Sequence, residues 1–255
     1  MIWDKNKQEL FGARDHFGIK PFYYAKMNGT FMYASEIKSL LRHPDFVKEL
    51  NAEALKPYMT FQYPAIGETF FKGVYKLPEG HYFTYRDGKM DIHRYYDEDF
   101  REGKQKLGEL VNSIDQTVCD SVKAHQIADV EVGSFLSSGV DSSYVAAVAR
   151  PQHTYSIGFG KGTYNESQQA GELAELLKLN NTAESLTDEE AFAAFPRIQW
   201  HLDEPDSNPS CVPLYFLSAL AAKDVKVVLS GEGATSCSPD TSTTACTPNS
   251  GPSRW

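Results

Sequence analysis

The chain has 255 residues, 41% hydrophobic and 23% charged, which is typical of one large or two modest globular domains. Its net charge is -9, and its lysines and arginines are scattered, which argues against a nucleic-acid-binding protein. No apolar run approaches the roughly 18 residues that a membrane span requires, and the start of the chain does not resemble a secretory signal. We therefore expect a cytoplasmic protein that binds neither nucleic acid nor a membrane.

The cysteine pattern excludes two further classes. The four cysteines are Cys119, Cys211, Cys237 and Cys246, and no two of them have the C-x-x-C spacing of a zinc knuckle or a redox pair. We expect neither a zinc site nor a disulfide scaffold.

The first region, residues 1–96, is rich in aromatic and β-branched residues separated by turn signals, which predicts antiparallel strands. Asn28-Gly29 lies between two such runs and predicts a tight hairpin, because both residues tolerate positive φ. A short strand is expected over His81–Tyr85. Ser35 and Asn51 are the predicted N-caps of two short helices.

The second region begins with a helix predicted over residues 104–124, whose apolar residues recur at three- and four-residue steps, so that one face should be buried. Strands and helices then alternate. We expect strands at 130–136, 154–157 and 225–229, and helices near 142–149, 166–179, 189–200 and 213–223. This order predicts a mainly parallel sheet covered on both faces, with ligands bound at the carboxyl ends of its strands.

The third region, residues 235–255, has ten serines or threonines and three prolines, and has no Ile, Leu, Val, Met or Phe. Such a composition cannot form a core, so disorder is predicted. The expected organisation is a β-rich domain over 1–100, an α/β domain over 101–234 and this tail.

A loop of small residues, Ser137–Ser143, connects the first predicted strand of the α/β domain to a helix. Backbone N–H groups are free at a helix N-terminus, and small side chains let a phosphate approach them and the serine hydroxyls. Asp141 could hold Mg²⁺ against the phosphate oxygens. The spacing matches neither the Walker A nor the dinucleotide fingerprint. An ordinary serine-rich helix start is the alternative interpretation.

The segment Ser137-Ser138-Gly139-Val140-Asp141-Ser142 resembles the S-G-G-[LV]-D-S pyrophosphate loop of the ATP pyrophosphatases, with Ser138 in place of the first glycine. That superfamily includes GMP synthetase, NAD synthetase, argininosuccinate synthetase, tRNA thiolation enzymes and asparagine synthetase. Its members form an adenylate and release pyrophosphate.

Motifs on both sides of this loop reduce the possible families within the superfamily. Residues 12–24, 34–38 and 73–81 are similar to the closing part of the glutaminase domain of asparagine synthetase, and Leu229-Ser230-Gly231-Glu232-Gly233 resembles the second nucleotide loop of that family. The motifs occur in family order over residues 1–234. The chain therefore resembles a central fragment of a glutamine-hydrolysing asparagine synthetase. The implied fold is a partial class II glutaminase sandwich followed by a partial parallel-sheet ATP pyrophosphatase domain.

The resemblance implies a reaction in which the β-carboxylate of aspartate attacks Mg-ATP to give β-aspartyl-AMP, and ammonia from glutamine then displaces AMP. Glu232 matches the family's glutamate that acts on ammonia, and Asp141 would help to bind Mg²⁺. The implied ATP and pyrophosphate ligands are Leu136, Ser137, Ser138, Gly139, Val140, Asp141, Ser142, Ser143, Ile157, Ser230 and Gly231. The small-molecule partners are thus ATP, aspartate, and ammonia or glutamine, and a homodimer of the intact parent stays open.

The chain departs from the family at both ends. The family's glutaminase nucleophile is an amino-terminal cysteine, and no residue here takes that role, so we expect no glutamine hydrolysis. After Gly233 the family continues with an Asp-Glu and then a Phe-Gly-Gly stretch, which this sequence lacks. Because only some of the loops of the synthetase site are present, we expect the fragment to be inactive. Two alternatives stay open: a relative that closes β-lactams or amidates another carboxylate, and a non-catalytic remnant that binds a nucleotide or a partner.

Three other groups of reactive side chains have structural interpretations. His201–Pro205 is expected to end a helix before its proline and not to bind a metal. Arg14-Asp15-His16 is expected to form a local ion pair or turn. The aromatic residues Tyr23, Tyr24, Phe31 and Tyr33 should pack within the hairpin.

Overall fold

The computed structural model describes residues 1–63, 65–97, 105–159 and 166–232. The chain divides into two compact units. Among the described residues, those within Met1–Gly103 and Pro196–Asn208 form the first unit, and those within Lys104–Phe195 and 209–232 form the second. The tail predicted over 235–255 lies outside the described residues.

The first unit contains two antiparallel sheets, with strand orders β1-β2-β6-β7 and β4-β3-β5. Its strands are β1 (Ile2–Asp4), β2 (Glu9–Ala13), β3 (Tyr23–Met27), β4 (Thr30–Ala34), β5 (Val74–Lys76), β6 (His81–Arg86) and β7 (Lys89–Arg94). Its short helices are α1 (Ile37–Leu40), a 3-10 turn (Ala52–Ala54) and α2 (Leu55–Phe61). The β-rich prediction for this region is confirmed.

The predicted hairpin is present as β3–β4. Met27 pairs with Thr30, and the two turn residues between them, Asn28 and Gly29, have φ values of 50° and 83°. Both residues are in the left-handed region that Asn and Gly adopt at low cost. The strand expected from His81 is also present, one residue longer than predicted.

Aromatic and aliphatic side chains fill the first unit. Its buried cluster is Tyr23, Ala25, Met32, Ile37, Leu40 and Val74. The buried ring of Phe83 on β6 lies 5.9 Å from the ring of Phe31 on β4, and therefore joins the two sheets. Tyr24 and Phe31 are 6.3 Å apart, which agrees with hairpin packing.

One of the two predicted helix caps is wrong. Asn51 caps the 3-10 turn, since its Oδ1 accepts from the Glu53 N–H at 3.2 Å. Ser35 does not cap α1, whose N-cap position is Glu36 with no side-chain cap of its own. The Asp203 carboxylate takes that place and accepts from the backbone N–H of Ile37 at 2.7 Å and of Lys38 at 3.3 Å.

The second unit is built on a parallel sheet with strand order β10-β9-β8-β11. Its strands are β8 (Val132–Phe135), β9 (His153–Phe159), β10 (Asn180–Leu186) and β11 (Val227–Leu229). Its helices are α3 (Leu107–His125), α4 (Val140–Ala149), α5 (Glu166–Leu177) and α7 (Cys211–Ala221), and α6 (Asp188–Leu202) continues into the first unit at Pro196. The predicted alternation and parallel sheet are confirmed, and β10 is an additional edge strand.

Helices cover both faces of this sheet. Leu136, at the end of β8, packs with Ala146 of α4 and Ala170 of α5, whereas Phe135 and Tyr155 pack with Leu220 of α7. Adjacent residues of β8 thus face opposite layers, as strand alternation requires.

The prediction that one face of α3 is buried is wrong for the first half of the helix. Val118 and Val122 pack against α4 and β11, but Leu110 is 41% exposed and Ile114 is 53% exposed. Within the part of the chain that the structure describes, no helix is long and apolar enough to cross a membrane.

Candidate functional site

A cavity of about 780 Å³ opens in the second unit beside the carboxyl ends of β8, β9 and β11. Its walls come from the loops that follow these strands and from the first turns of α4 and α7. The lining residues are Phe135, Leu136, Ser137, Gly139, Asp141, Ser142, Ile157, Gly158, Phe159, Ala191, Pro209, Ser210, Val212, Pro213, Leu214, Leu217, Ser230, Gly231 and Glu232.

The Ser137–Ser143 loop is held by its own hydroxyl groups. Ser137 Oγ and Ser142 Oγ lie 2.7 Å apart, and Ser142 Oγ also accepts from the backbone N–H of Ser137 at 3.2 Å. The Gly139 N–H donates to Ser137 Oγ at 3.2 Å, and the Ser143 hydroxyl donates to the Gly139 carbonyl at 2.6 Å. These bonds close a compact turn between β8 and α4.

Helix α4 begins directly at this turn. Gly139 is its N-cap residue, with extended backbone angles and no side chain to occupy the helix end. The first N–H groups of a helix have no acceptor within the helix and carry the positive end of its dipole. Because Gly139, Asp141 and Ser142 line the cavity, the helix start faces the cavity, and a helix start attracts anions.

Gly231, in the loop after β11, packs against the same helix start. A Cβ atom at this position would lie 2.6 Å from the Ser142 backbone nitrogen and 2.8 Å from the Asp141 carbonyl carbon. Only glycine allows this approach, because both neighbours are backbone atoms that cannot rotate away. The loops after β8 and β11 are therefore in direct contact at the floor of the cavity.

The strand ends supply an apolar wall. Leu136 is 2% exposed, and its backbone N–H donates to the Tyr155 carbonyl at 2.8 Å, which continues the β8–β9 pairing past the end of β8. Ile157 lies on the neighbouring strand, and Leu214 and Leu217 of α7 also line the cavity. Apolar side chains of this kind favour the binding of an apolar group.

The ionisable side chains of the cavity are both acidic. Asp141 in the first turn of α4 and Glu232 after β11 line it, whereas no lysine or arginine is present among the described residues of its wall. Glu232 is held by a turn in which its backbone N–H donates to Ser230 Oγ at 3.1 Å. A polyanion bound here would require a cation to offset these carboxylates.

The structure brings most of the predicted site residues together. Nine of them line the cavity, namely Leu136, Ser137, Gly139, Asp141, Ser142, Ile157, Ser230, Gly231 and Glu232. Ser138 and Val140 are in the loop but face solvent, and Val140 is 83% exposed. Ser143 is half-buried, and its hydroxyl is bonded to the loop backbone.

Sequence reasoning missed the contribution of α7 and of the residues that precede it. Pro209, Val212 and Leu214 lie about 70 residues after the loop in the chain and yet line the same cavity. The apolar run at the start of α7 was the available signal, but a buried helix gives the same pattern.

The acidic pair near residue 203 has a structural role in the first unit. Helix α6 ends at Leu202, as predicted. Asp203 caps α1 and pairs with Lys38 Nζ at 3.0 Å, and Glu204 accepts from the Phe70 N–H at 3.1 Å. Across the described residues, no group of three His, Cys, Asp or Glu side chains could hold a metal ion.

Arg14 and Asp15 also stabilise local structure in the first unit. The Asp15 carboxylate accepts from the backbone N–H groups of Ile19 and Lys20, and these hydrogen bonds, that of Lys20 first, lower the pKa of Asp15. The guanidinium of Arg14 donates to three backbone carbonyls. The expectation of a local turn is confirmed.

Two known family models match this chain, over separate ranges of residues. Residues 1–96 match a model of the glutamine amidotransferase domain, and residues 113–236 match the asparagine synthase model. Glutamine-hydrolyzing asparagine synthetase 1 of Bacillus subtilis strain 168 is 40% identical over 239 residues, which is 92% of this chain. The chain belongs to the asparagine synthetase family.

The chain spans less than half the length of the first curated relatives that it matches. It spans 38% of the first Bacillus subtilis relative, and 34% of asparagine synthetase 2 of the same strain, which is 31% identical over 91% of this chain. Among solved structures, a glutamine-dependent NAD+ synthetase from Acinetobacter baumannii in complex with ADP matches with a TM-score of 0.36 and 13% identity, over 66% of this chain and 32% of that one. This last similarity is too low to carry an argument.

Proposed function

We propose that the second unit binds ATP in the cavity at its strand ends, as part of an ATP-dependent asparagine synthetase. Residues 101–234 would belong to an ATP pyrophosphatase domain and residues 1–100 to a class II glutaminase domain. The observation that carries this proposal is the contact of Gly231 with the helix start at Ser142, because it joins two loops with separate family resemblances into one site.

The residues fit the parts of the nucleotide. Leu136 and Ile157 offer apolar surface to the adenine ring, and the loop after β11, with Ser230 and Gly231, offers backbone groups to the ribose. The pyrophosphate would lie against the α4 N-terminus and the hydroxyls of Ser137 and Ser142, where helix dipole and N–H groups favour negative charge.

Magnesium also fits this donor set. Mg²⁺ binds through one or two carboxylates together with the phosphate oxygens, and Asp141 is in the first turn of α4 beside the proposed phosphate position. When bound, the ion would offset the negative charge that develops on the departing pyrophosphate. The cavity wall has two carboxylates and no described cationic side chain, so the ion is the natural counter-charge.

The proposed reaction has two steps. A carboxylate oxygen of aspartate attacks the α-phosphorus, a new O–P bond forms, and the bond to the β-phosphate oxygen breaks, which releases pyrophosphate. Ammonia then attacks the activated carbonyl carbon, AMP leaves and the nitrogen loses a proton. Glu232, which lines the cavity on the β11 side, would accept that proton or orient the ammonia. The small-molecule partners are accordingly ATP, aspartate, and ammonia derived from glutamine.

The binding step can be tested with the 255-residue chain. We expect saturable ATP binding that the Ser142→Ala variant weakens about tenfold, since it loses a loop hydroxyl that bonds Ser137. Ser113→Ala, at an exposed serine of α3, is the matched control and should bind normally. Absence of saturable binding by the wild-type chain would contradict the proposal.

The carboxylate that is activated is tested separately. ATP–pyrophosphate exchange in a complete synthetase that carries these residues should depend on aspartate. Exchange with a β-amino acid in its place would indicate a β-lactam-forming relative, and ATP binding without exchange would indicate a binding protein.

A further inference from the structure

A network of buried hydroxyl groups is hydrogen-bonded to Leu136, a residue that lines the proposed nucleotide cavity. Thr154 and Ser156 are on β9, one residue before and one after the core tyrosine Tyr155, and they are at most 1% exposed. The Ser156 hydroxyl lies 2.8 Å from the Leu136 carbonyl, at the end of β8. The Thr154 hydroxyl lies 3.1 Å from the Asn180 carbonyl, at the start of β10.

The side-chain amide of Asn181 on β10 is shared by both hydroxyls. As placed, its Oδ1 lies 3.0 Å from Thr154 Oγ1 and 3.1 Å from Ser156 Oγ. Four close contacts therefore surround two hydroxyl groups, and each hydroxyl has only one hydrogen to donate.

Counting hydrogens shows that this orientation leaves two contacts unsatisfied. The Leu136 and Asn180 carbonyls can only accept. If the amide oxygen of Asn181 also faces the hydroxyls, four acceptor contacts share two hydrogens. Two buried oxygen pairs then lie about 3 Å apart without a proton between them, which is unfavourable in a low dielectric.

Turning the amide by 180° satisfies every contact. The Nδ2 group then donates one hydrogen to Thr154 Oγ1 and one to Ser156 Oγ, and the hydroxyls donate theirs to the Asn180 and Leu136 carbonyls. We infer that Asn181 faces the hydroxyls with Nδ2, and that it is a positioning residue which, through Ser156, fixes the Leu136 carbonyl at the adenosine end of the cavity.

This role rests on the proposed function and extends it to a residue outside the cavity wall. Leu136 and Ile157 both line the cavity, and Ser156 is hydrogen-bonded to the first and adjacent in sequence to the second. Loss of this hydrogen-bond network should therefore shift Leu136 and Ile157, which form the adenosine end of the proposed site. The pyrophosphate end is held independently by the hydroxyls of Ser137 and Ser142.

A positioning role at the adenosine end and a general loss of stability predict different changes in ligand affinity. The binding of adenosine and the binding of pyrophosphate are therefore measured separately. In the 255-residue chain, Asn181→Asp and Ser156→Ala should each weaken the binding of adenosine and ATP about fivefold to tenfold, because a buried carbonyl loses its donor. Binding of inorganic pyrophosphate should not change. Thr69→Val, at a threonine of the first unit that is 2% exposed, is the matched control, and it should leave adenosine binding unchanged. Unchanged adenosine binding, or equal losses for adenosine and pyrophosphate, would overturn the inference.

The orientation itself is tested in the wild-type chain. In ¹⁵N-labelled protein, both side-chain amide hydrogens of Asn181 should exchange slowly with solvent, because both are in hydrogen bonds to hydroxyl groups of residues that are at most 1% exposed. Exchange at the rate of a free amide would overturn the inference. This readout requires no nucleotide, so a chain that binds no ATP would contradict the proposed function and still give a result for Asn181.

Discussion

The backbone of Gly231 lies so close to Ser142 that a Cβ atom on the glycine would be 2.6 Å from the Ser142 nitrogen. The two residues belong to loops after different strands, β11 and β8, and their contact places the second loop on the first turn of α4. The site we propose depends on this contact.

Gly231→Ala should therefore damage the site. The added methyl group must displace the backbone of Asp141 and Ser142, which we expect to cost about 1 to 3 kcal/mol of unfolding free energy and to weaken ATP binding at least about tenfold. Chemical denaturation and nucleotide titration measure the two effects.

Gly171→Ala is the control for that substitution. Gly171 lies in helix α5, and a Cβ there would meet nothing within 4 Å. Alanine should stabilise the helix by roughly 0.5 to 1 kcal/mol and leave ATP binding unchanged. If both alanine variants behave alike, the close contact at Gly231 is not what forms the site.

Asp203 should be important for the stability of the first unit. Its side chain is 6% exposed, caps α1 and pairs with Lys38, which is 14% exposed. Asp203→Ala leaves a nearly buried ammonium and the Ile37 N–H without this acceptor, so we expect a loss of about 3 kcal/mol in thermal or denaturant unfolding.

Glu36→Gln provides the comparison for Asp203. Glu36 also pairs with Lys38, at 3.3 Å, but its side chain is 52% exposed. A solvent-exposed pair contributes under about 1 kcal/mol. A loss at Glu36 as large as that at Asp203 would contradict the assignment of the cap to Asp203.

The ionisation of Tyr23 should make the stability of the first unit depend on pH in the alkaline range. Its pKa is raised to about 12, first by burial and then by the nearby carboxylates of Glu204 and Asp203. Because the folded pKa exceeds the unfolded value of about 10, the neutral phenol favours the folded state. This contribution is complete below pH 10 and is lost as the pH rises to about 12.

Unfolding measured at intervals between pH 9 and pH 12 should therefore show a steeper loss of stability in the wild type than in Tyr23→Phe. Tyr33→Phe, at a 45% exposed tyrosine, should keep the wild-type slope. Equal slopes for the wild type and Tyr23→Phe would contradict this account.

ATP binding should depend strongly on magnesium. The described cavity wall contains two carboxylates, Asp141 and Glu232, and no lysine or arginine, so the nucleotide phosphates gain little attraction without a cation. Removal of Mg²⁺ with a chelator should weaken ATP binding at least about tenfold. Asp141→Asn should reduce this difference, and Asp188→Asn, at an exposed residue outside the cavity, should preserve it. Binding that is indifferent to Mg²⁺ would argue against the role of Asp141.

Local patterns in the sequence predicted local structure well. Asn28-Gly29 specified its own hairpin, and the loop Ser137–Ser143 was recognisable because strand, loop and helix are adjacent in the chain. In both cases the local geometry is determined by the residues of the segment itself and not by distant parts of the chain.

Structure determined by distant residues was not predictable in this way. Strand β10 has the polar sequence Asn180–Leu186, and its conformation is set by parallel pairing with β9 along its whole length. Ser35 was a reasonable cap for α1, but Asp203 takes this role from 166 residues away. The contribution of α7 to the cavity depends likewise on how that helix packs on the sheet.

Hydrogen exchange of the 255-residue chain, measured with and without Mg-ATP, decides whether the nucleotide binds in the cavity of the second unit, because it reports which backbone segments become protected. Protection should increase in three separate segments, residues 136–143, 157–159 and 229–232, each of which contributes residues to the cavity wall. Protection confined to one of them, protection in the first unit instead, or no change at saturating Mg-ATP would contradict this account.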